Sequence, residues 1–390
     1  MAEPILIISP YFAPRPRVGA QRATKFARHL PEFGFEPHIV SLDAGEPGQS
    51  VLPLSTPFDR THRRSGSALG AARKPGWMDV LDRWIPIDGW VPVMWWNRAR
   101  VVEHALEKGI RLVWSTGDPW SGHLLAETVA DALSVPWIAD WRDPWTLCSV
   151  RNQGRPGWVR ALDRRVERHW MGRATLNTFT ARETERRYHA AYGVETATIH
   201  NAFDHDDVSG GEPDPGRDDV ELLFFGRFRD LSPAEPVIRL VASCDEPHRV
   251  RVVSFGSLGE EDLLLASRLG VADCFVSEPP IPLAAAMDRL RKADFLLLST
   301  DPHRDEIIPA KLWDYLPVGR PILSLVPNRD VDRILLDTGT GSGVAALTQL
   351  NRYLADRTAP EVRPDTAAIR SYSAREATAM LASCFREVWG

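Results

Sequence analysis

"EIIPAKLWDYLPVGRPILSL" occupies residues 306–325, and its reading decides the fold. Pro309 suits the first turn of a helix, because the N–H it lacks is one that a helix leaves unpaired. Leu312 and Leu316 are one turn apart and define a core-facing side, which directs Lys311, Asp314 and Tyr315 elsewhere. A helix is therefore predicted to begin near 309, with "PILSL" (321–325) as a strand behind it. Glu306 stands just ahead, where the free amides of Ile307, Ile308 and Ala310 would form an anion site reinforced by the helix dipole. Two carboxylates, Glu306 and Asp314, thus flank an anion site and a lysine. That set suits a ligand with a diphosphate in its middle and hydroxyl-rich groups on either side.

The alternation of strand and helix extends outward in both directions. Short apolar runs precede the segment at "VELLFFG" (220–226), "HRVRVVSFG" (248–256), "CFVSE" (274–278) and "DFLLLST" (294–300). In the first half, "ILIIS" (5–9), "HIVSL" (38–42), "RLVWST" (111–116), "WIADW" (137–141), "TLNTF" (175–179) and "ATIHNAF" (197–203) repeat the pattern, with helix-periodic stretches between. Alternating elements of this kind predict parallel sheets covered on both faces. "DHDDVSGGEPDPGRDD" (204–219) is acidic, rich in Gly and Pro and without periodicity, as an interdomain linker is. Two successive α/β domains are expected, 1–205 and 206–372, followed by a C-terminal helix over 373–390. That helix has a capping box, Ser373 with Glu376, and an apolar stripe through Ala377, Met380, Leu381, Cys384, Phe385 and Val388. Residues 43–76 read as a long insertion and 84–96 as a partly buried aromatic segment; for Trp77, Trp84, Trp90, Trp95 and Trp96 core packing is the default, against a sugar-stacking platform or a membrane-interface patch.

Composition narrows the function. The chain has 390 residues, 44% hydrophobic and 25% charged, a net charge of −5, and only five lysines against 42 arginines. No basic run tracks a nucleic-acid backbone, so nucleic acid is not an expected partner. No segment approaches the ~18 uninterrupted apolar residues of a membrane span, and "MAEPILIISPYF" lacks the form of a signal peptide. Cytoplasmic residence is expected, with the tryptophans leaving open a weak peripheral association at the inner face of the membrane. Cys148, Cys244, Cys274 and Cys384 are scattered and suggest neither a zinc site nor a disulfide framework.

"EIIPAKLWDYLPVGRPIL" resembles the donor site of GT-B retaining glycosyltransferases of family 4, whose E-x7-E motif is matched as Glu306-x7-Asp314. The second acid is Asp where the family has Glu. "SPYFAPRPRVGAQRATKFARHLPEFGFEPHIVSL" (9–42) is similar to the family's N-terminal opening, and "PWIADWRDPW" (136–145) resembles the D-[FW]-R-D-P-W segment of a bacterial branch. "ATIHNAFD" (197–204) and "FFGRFRD" (224–230) resemble the end of the N-domain and the start of the donor domain.

The resemblance implies a GT-B fold, two Rossmann-like domains facing across a cleft, with the first binding the acceptor and the second the donor. It implies Glu306 on the transferred sugar, Asp314 on the ribose, and Arg227, Arg229, Lys311 and the amides of Ile307 and Ile308 on the diphosphate. Gly19 would let the donor approach the backbone of the first domain. Base contacts would be largely backbone, around 276–280. The family's usual lysine a few residues after Arg227 is missing here. The implied activity is metal-independent, retaining transfer of a sugar from a UDP-, GDP- or dTDP-sugar, a co-substrate and not a cofactor. The acceptor would be a glycan, a lipid-linked glycan or a small metabolite.

Several residues keep two readings. Asp140, Arg142 and Asp143, at the carboxyl end of a strand, could bind the acceptor or brace a loop through an internal ion pair. Asp118 and His123 are acceptor candidates against ordinary helix-start roles. His200 reads as a packed hinge residue. Two alternatives to transfer stay open, a GT-B nucleotide-sugar epimerase and a non-catalytic glycosyltransferase-like partner subunit.

Overall fold

The computed structural model describes residues 2–14, 18–55, 83–148, 152, 154–204, 208, 218–229, 231–306, 308–357 and 362–389. These divide into two compact units, Met1–His200 with Ala374–Gly390, and Asn201–Ser373.

Among the described residues, the first unit is built on a seven-stranded sheet in the order β3-β2-β1-β4-β5-β6-β7. The strands are β1 (Glu3–Ile8), β2 (Phe35–Ser41), β3 (Ser50–Pro53), β4 (Leu112–Gly117), β5 (Trp137–Trp141), β6 (Leu176–Phe179) and β7 (Thr196–Thr198), all parallel. Ile5 to Ile8, Leu112 to Trp114 and Trp137 to Ala139 are buried on both faces, the reason these strands are continuous apolar runs. The helices are α1 (Val18–His29), α2 (Val91–Glu107), α3 (Gly122–Leu133), α4 (Gly157–Arg173) and α5 (Arg182–Tyr192).

Two sequence expectations change here. Residues 50–53 form an edge strand inside the supposed insertion, and the aromatic segment runs into a 17-residue helix, α2. Val93, Met94, Asn97, Val101 and Ala105 are its buried stripe. Core packing holds for Trp90, which lies against the core, but Trp84, Trp95 and Trp96 are exposed; Trp77 lies outside the described residues.

The second unit has a five-stranded parallel sheet, β10-β9-β8-β11-β12, from β8 (Val220–Phe224), β9 (Val250–Phe255), β10 (Phe275–Glu278), β11 (Phe295–Ser299) and β12 (Ile322–Leu325). Its helices are α6 (Glu235–Ser243), α7 (Glu260–Arg268), α8 (Leu283–Arg291), α9 (Lys311–Tyr315), α10 (Arg329–Asp337), α11 (Ala346–Ala355) and α12 (Thr366–Arg370). Glu221, fully buried in β8, is held by the Arg289 guanidinium.

The last helix, α13 (Ala374–Trp389), packs in the first unit. Phe385 meets Phe35 edge to face at 5.3 Å between centroids, and Trp389 stacks on Phe35 at 5.7 Å. Met380, placed on its stripe by periodicity, is instead largely exposed. The acidic stretch 204–219 lies mostly outside the described residues.

Candidate functional site

The segment 306–325 takes a shape tighter than predicted. The helix starts at Lys311, two residues later than Pro309 suggests, and α9 is only five residues long before a 3-10 turn over Leu316–Val318. Leu312 and Leu316 are buried as expected. Tyr315 is not turned away from the core but fully buried. Its hydroxyl donates to the Leu297 carbonyl at 3.2 Å and accepts from the Phe225 amide at 2.9 Å. One phenol therefore pins α9 to the carboxyl end of β8 and to the middle of β11, beside the edge where open parallel sheets bind ligands. Burial raises its pKa, which keeps it a neutral donor.

Around that anchor several of the expected donor residues come together. The Lys311 ammonium lies over the Phe224 ring, 4.4 Å from its centroid. Burial first and the Arg229 charge second, opposed by Asp314, together lower the Lys311 pKa to about 8. Lys311, Arg229 and Asp314 are thus electrostatic neighbours, and Phe228 stacks on the far side of the aromatic floor at 4.1 Å from Phe224.

Arg227 is exposed and lies over Gly256. A Cβ at Gly256 would stand 2.9 Å from the Arg227 Cγ, and the backbone there has φ +133°, so only glycine leaves room for this path. Glu306 is 5% exposed, on the loop that follows β11, and Asp314 is half-buried within α9. Ile308 is buried; Ile307 lies outside the described residues.

The structure adds groups that sequence reasoning missed. The hydroxyls of Ser299 and Thr300, buried at the end of β11, have no hydrogen-bond partner among the described residues, and neither does Asn328 Nδ2 after β12. Asn328 Oδ1 caps α10 by accepting from the Asp330 amide at 2.8 Å. Position after a strand end was their only signal in the sequence.

In the first unit, Asp140, Arg142 and His123 all have internal partners. Asp140 is fully buried and accepts from Arg22 at 2.8 and 2.9 Å, from Thr116 at 2.7 Å and from Thr178 at 2.8 Å. Thr116, Asp140 and Thr178 are register partners on β4, β5 and β6. The ion pair that Asp140 makes is with Arg22 and not with Arg142, and each of its carboxylate oxygens accepts two hydrogen bonds. Burial works to raise the Asp140 pKa, but the Arg22 charge and these bonds hold it below the usual carboxylate value. Arg22 also donates to the carbonyls of Ile199 and His200. His200 in turn bonds the Thr180 carbonyl through Nδ1 at 2.8 Å.

Arg142 is a tie between loops. It donates to the carbonyls of Gly117, Gly19 and Asp118. A Cβ at Gly19 would stand 3.1 Å from the Arg142 Nη1, so this glycine makes room for the guanidinium. His123 is fully buried, its Nδ1 hydrogen-bonded with Ser115 Oγ at 2.8 Å and its ring 4.5 Å from that of Trp141. Burial lowers its pKa to about 3, so the ring is neutral, and its Nε2, beside Gly117, has no hydrogen-bond partner among the described residues. Asp118 and Asp143 are half-buried at the carboxyl edge of the same sheet.

No protein-family model matches the chain, and no curated protein matches it either. Solved structures do resemble it in fold. Sucrose-phosphate synthase from Thermosynechococcus elongatus superposes with a TM-score of 0.68 at 13% identity, covering 99% of each chain. HepE from Anabaena, solved with UDP and glucose, gives 0.63 at 12% identity over 99% of this chain and 100% of that one. The lipopolysaccharide outer core galactosyltransferase WaaB gives 0.61 at 10% identity with the same coverage. A UDP-GlcNAc 2-epimerase from Methanocaldococcus jannaschii is more distant, at 0.51 and 11% identity. The fold is that of the GT-B glycosyltransferases.

Proposed function

We propose that the protein is a retaining glycosyltransferase that moves a sugar from a nucleotide-sugar to an acceptor hydroxyl. The observation that carries this reading is Lys311, with Arg229 and Asp314 as charged neighbours, on a helix that Tyr315 pins to β8 and β11. Cationic side chains there suit a diphosphate. Glu306 takes hydroxyls of the transferred sugar, Asp314 those of the ribose, and Arg227, Arg229 and Lys311 the diphosphate. A helix as short as α9 adds little dipole, so side chains carry most of the charge stabilisation. The reading is supported by fold neighbours that include sucrose-phosphate synthase, HepE with UDP and glucose, and WaaB.

In the reaction the bond between the anomeric carbon and the diphosphate oxygen breaks, and its electron pair leaves with the diphosphate. The acceptor oxygen bonds to the anomeric carbon on the same face, and its proton passes to the departing phosphate oxygen. No protein nucleophile and no metal are invoked. With Asp140 and His123 fully buried, Asp118 and Asp143 remain as acceptor contacts and Arg142 as the residue that holds their loops.

An epimerase is the second reading, favoured only by the more distant neighbour; it would turn over donor without acceptor. A panel of UDP-, GDP- and dTDP-sugars scored by thermal shift tests the proposal. Stabilisation by one nucleotide class is expected, and stabilisation by none would refute donor binding.

A further inference from the structure

We propose that the first unit docks onto an anionic lipid bilayer through the start of α2, the start of α4 and residues 84–90, which lead into α2. This inference is independent of the glycosyl-transfer reading. Trp96 is 70% exposed, and Trp84, Trp95 and Trp158 are each 55% exposed, too many indoles in water for a surface with no partner.

Their placement is specific. Asp163, buried on α4, accepts from the Ile87 amide at 2.7 Å and pairs with Arg155 at 2.7 Å; Arg155 also donates to the Ile85 carbonyl. That carboxylate ties the segment bearing Trp84 and Ile85 to the first turns of α4. From there the chain leads directly into α2 at Val91, so Trp95 and Trp96 sit near the head of that helix.

Charge selects the occupant. On α4, Trp158, Leu162 and Arg165 form one exposed stripe and Arg160, Arg164 and Arg168 another. The two acids of the helix, Asp163 and Glu167, are buried. Glu167 accepts from Thr146, Tyr188 and Tyr192. The outward face is therefore basic and apolar with no exposed carboxylate. Arg160, Arg164 and Arg165 pair with no acid among the described residues. Of the nearby acids, Glu103 and Glu107 lie late on α2, and Glu127 and Asp131 on α3 pair with His169 and Arg173. Those at the near end are engaged: Glu183 and Glu185, in the first turn of α5, by Arg186 and Arg187 and by Thr196 and Thr198, and Asp88 by the amides of Trp90 and Ser121. Indoles at headgroup depth with guanidiniums reaching phosphates are the composition of a membrane-surface contact. No helix among the described residues is long and apolar enough to cross a membrane.

Sedimentation of the full chain with phosphatidylcholine vesicles, with and without roughly a third of phosphatidylglycerol, tests this. The protein is expected to pellet with the anionic vesicles and to be released by high salt. Two double variants, Trp95→Ser with Trp96→Ser and Arg164→Glu with Arg165→Glu, should each weaken partitioning by about tenfold or more. Their thermal midpoints and nucleotide-induced shifts should stay those of the native protein, because all four side chains are exposed. A native protein that stays in the supernatant with anionic vesicles overturns the proposal; binding of poly-glutamate by that protein would then mark an acidic polypeptide partner. Unchanged partitioning of both folded variants would also overturn it.

Discussion

The Nζ of Lys311 stands 4.4 Å from the centroid of the Phe224 ring, with Arg229 and Asp314 as its charged neighbours. Burial and Arg229 make this lysine easier to discharge than a solvated one, and its pKa falls to about 8. Below that value it is charged and attracts a diphosphate; above it, the attraction is lost. Nucleotide affinity of the native protein should fall as pH rises through 8. Lys311→Met should bind about tenfold more weakly at neutral pH and show a flat profile. Isothermal titration across the range checks both.

Asp314 holds the place of a longer acid in the family motif that this segment resembles. Asp314→Asn should weaken nucleotide binding by about tenfold, the loss of a charge-assisted hydrogen bond. Asp314→Glu should stay within about threefold of the native protein. Titration with a free nucleoside diphosphate separates the two.

Gly19 and Arg142 should behave as one unit. Gly19→Ala puts a methyl 3.1 Å from a guanidinium that three carbonyls hold in place. A cost of about 1–3 kcal/mol is expected, and in an Arg142→Ala background most of it should vanish. Urea unfolding of the four proteins of this cycle provides the measurement.

Asp140→Ala leaves the buried Arg22 charge without its partner. A loss of about 3–5 kcal/mol is expected. The folded Asp140 pKa lies below its unfolded value, so its contribution is present above the ordinary carboxylate pKa and lost as pH falls through the folded value. The native protein should lose stability in acid more steeply than Asp140→Ala, as urea midpoints against pH would show.

Most of the sheets were legible because buried parallel strands are uninterrupted apolar runs: "WIADW" is β5 residue for residue, and "DFLLLST" contains β11. β3 was not, because Ser50–Pro53 lies at an edge, is nowhere fully buried and ends on proline. The helix at 91–107 was hidden by its own composition: "VPVMWW" is apolar on every side, so the 3.6-residue period appears only from Asn97 onward. Site geometry was less legible. Lys311 and Arg229 could be named from residue type, but Tyr315 as the pin, and Arg22 as the partner of Asp140, depend on contacts across 18 and 118 residues of chain. The burial of His123 likewise follows from tryptophans that converge only in the fold.

Glu306, 5% exposed on the loop ahead of α9, carries the central claim that this segment holds the transferred sugar. The direct test is release of nucleoside diphosphate from the stabilising nucleotide-sugar, with acceptor present, by native protein and by Glu306→Gln. The variant should keep its fold and its thermal shift with the free nucleotide while turnover drops about a hundredfold or more. Undiminished turnover by a folded Glu306→Gln protein would contradict the account.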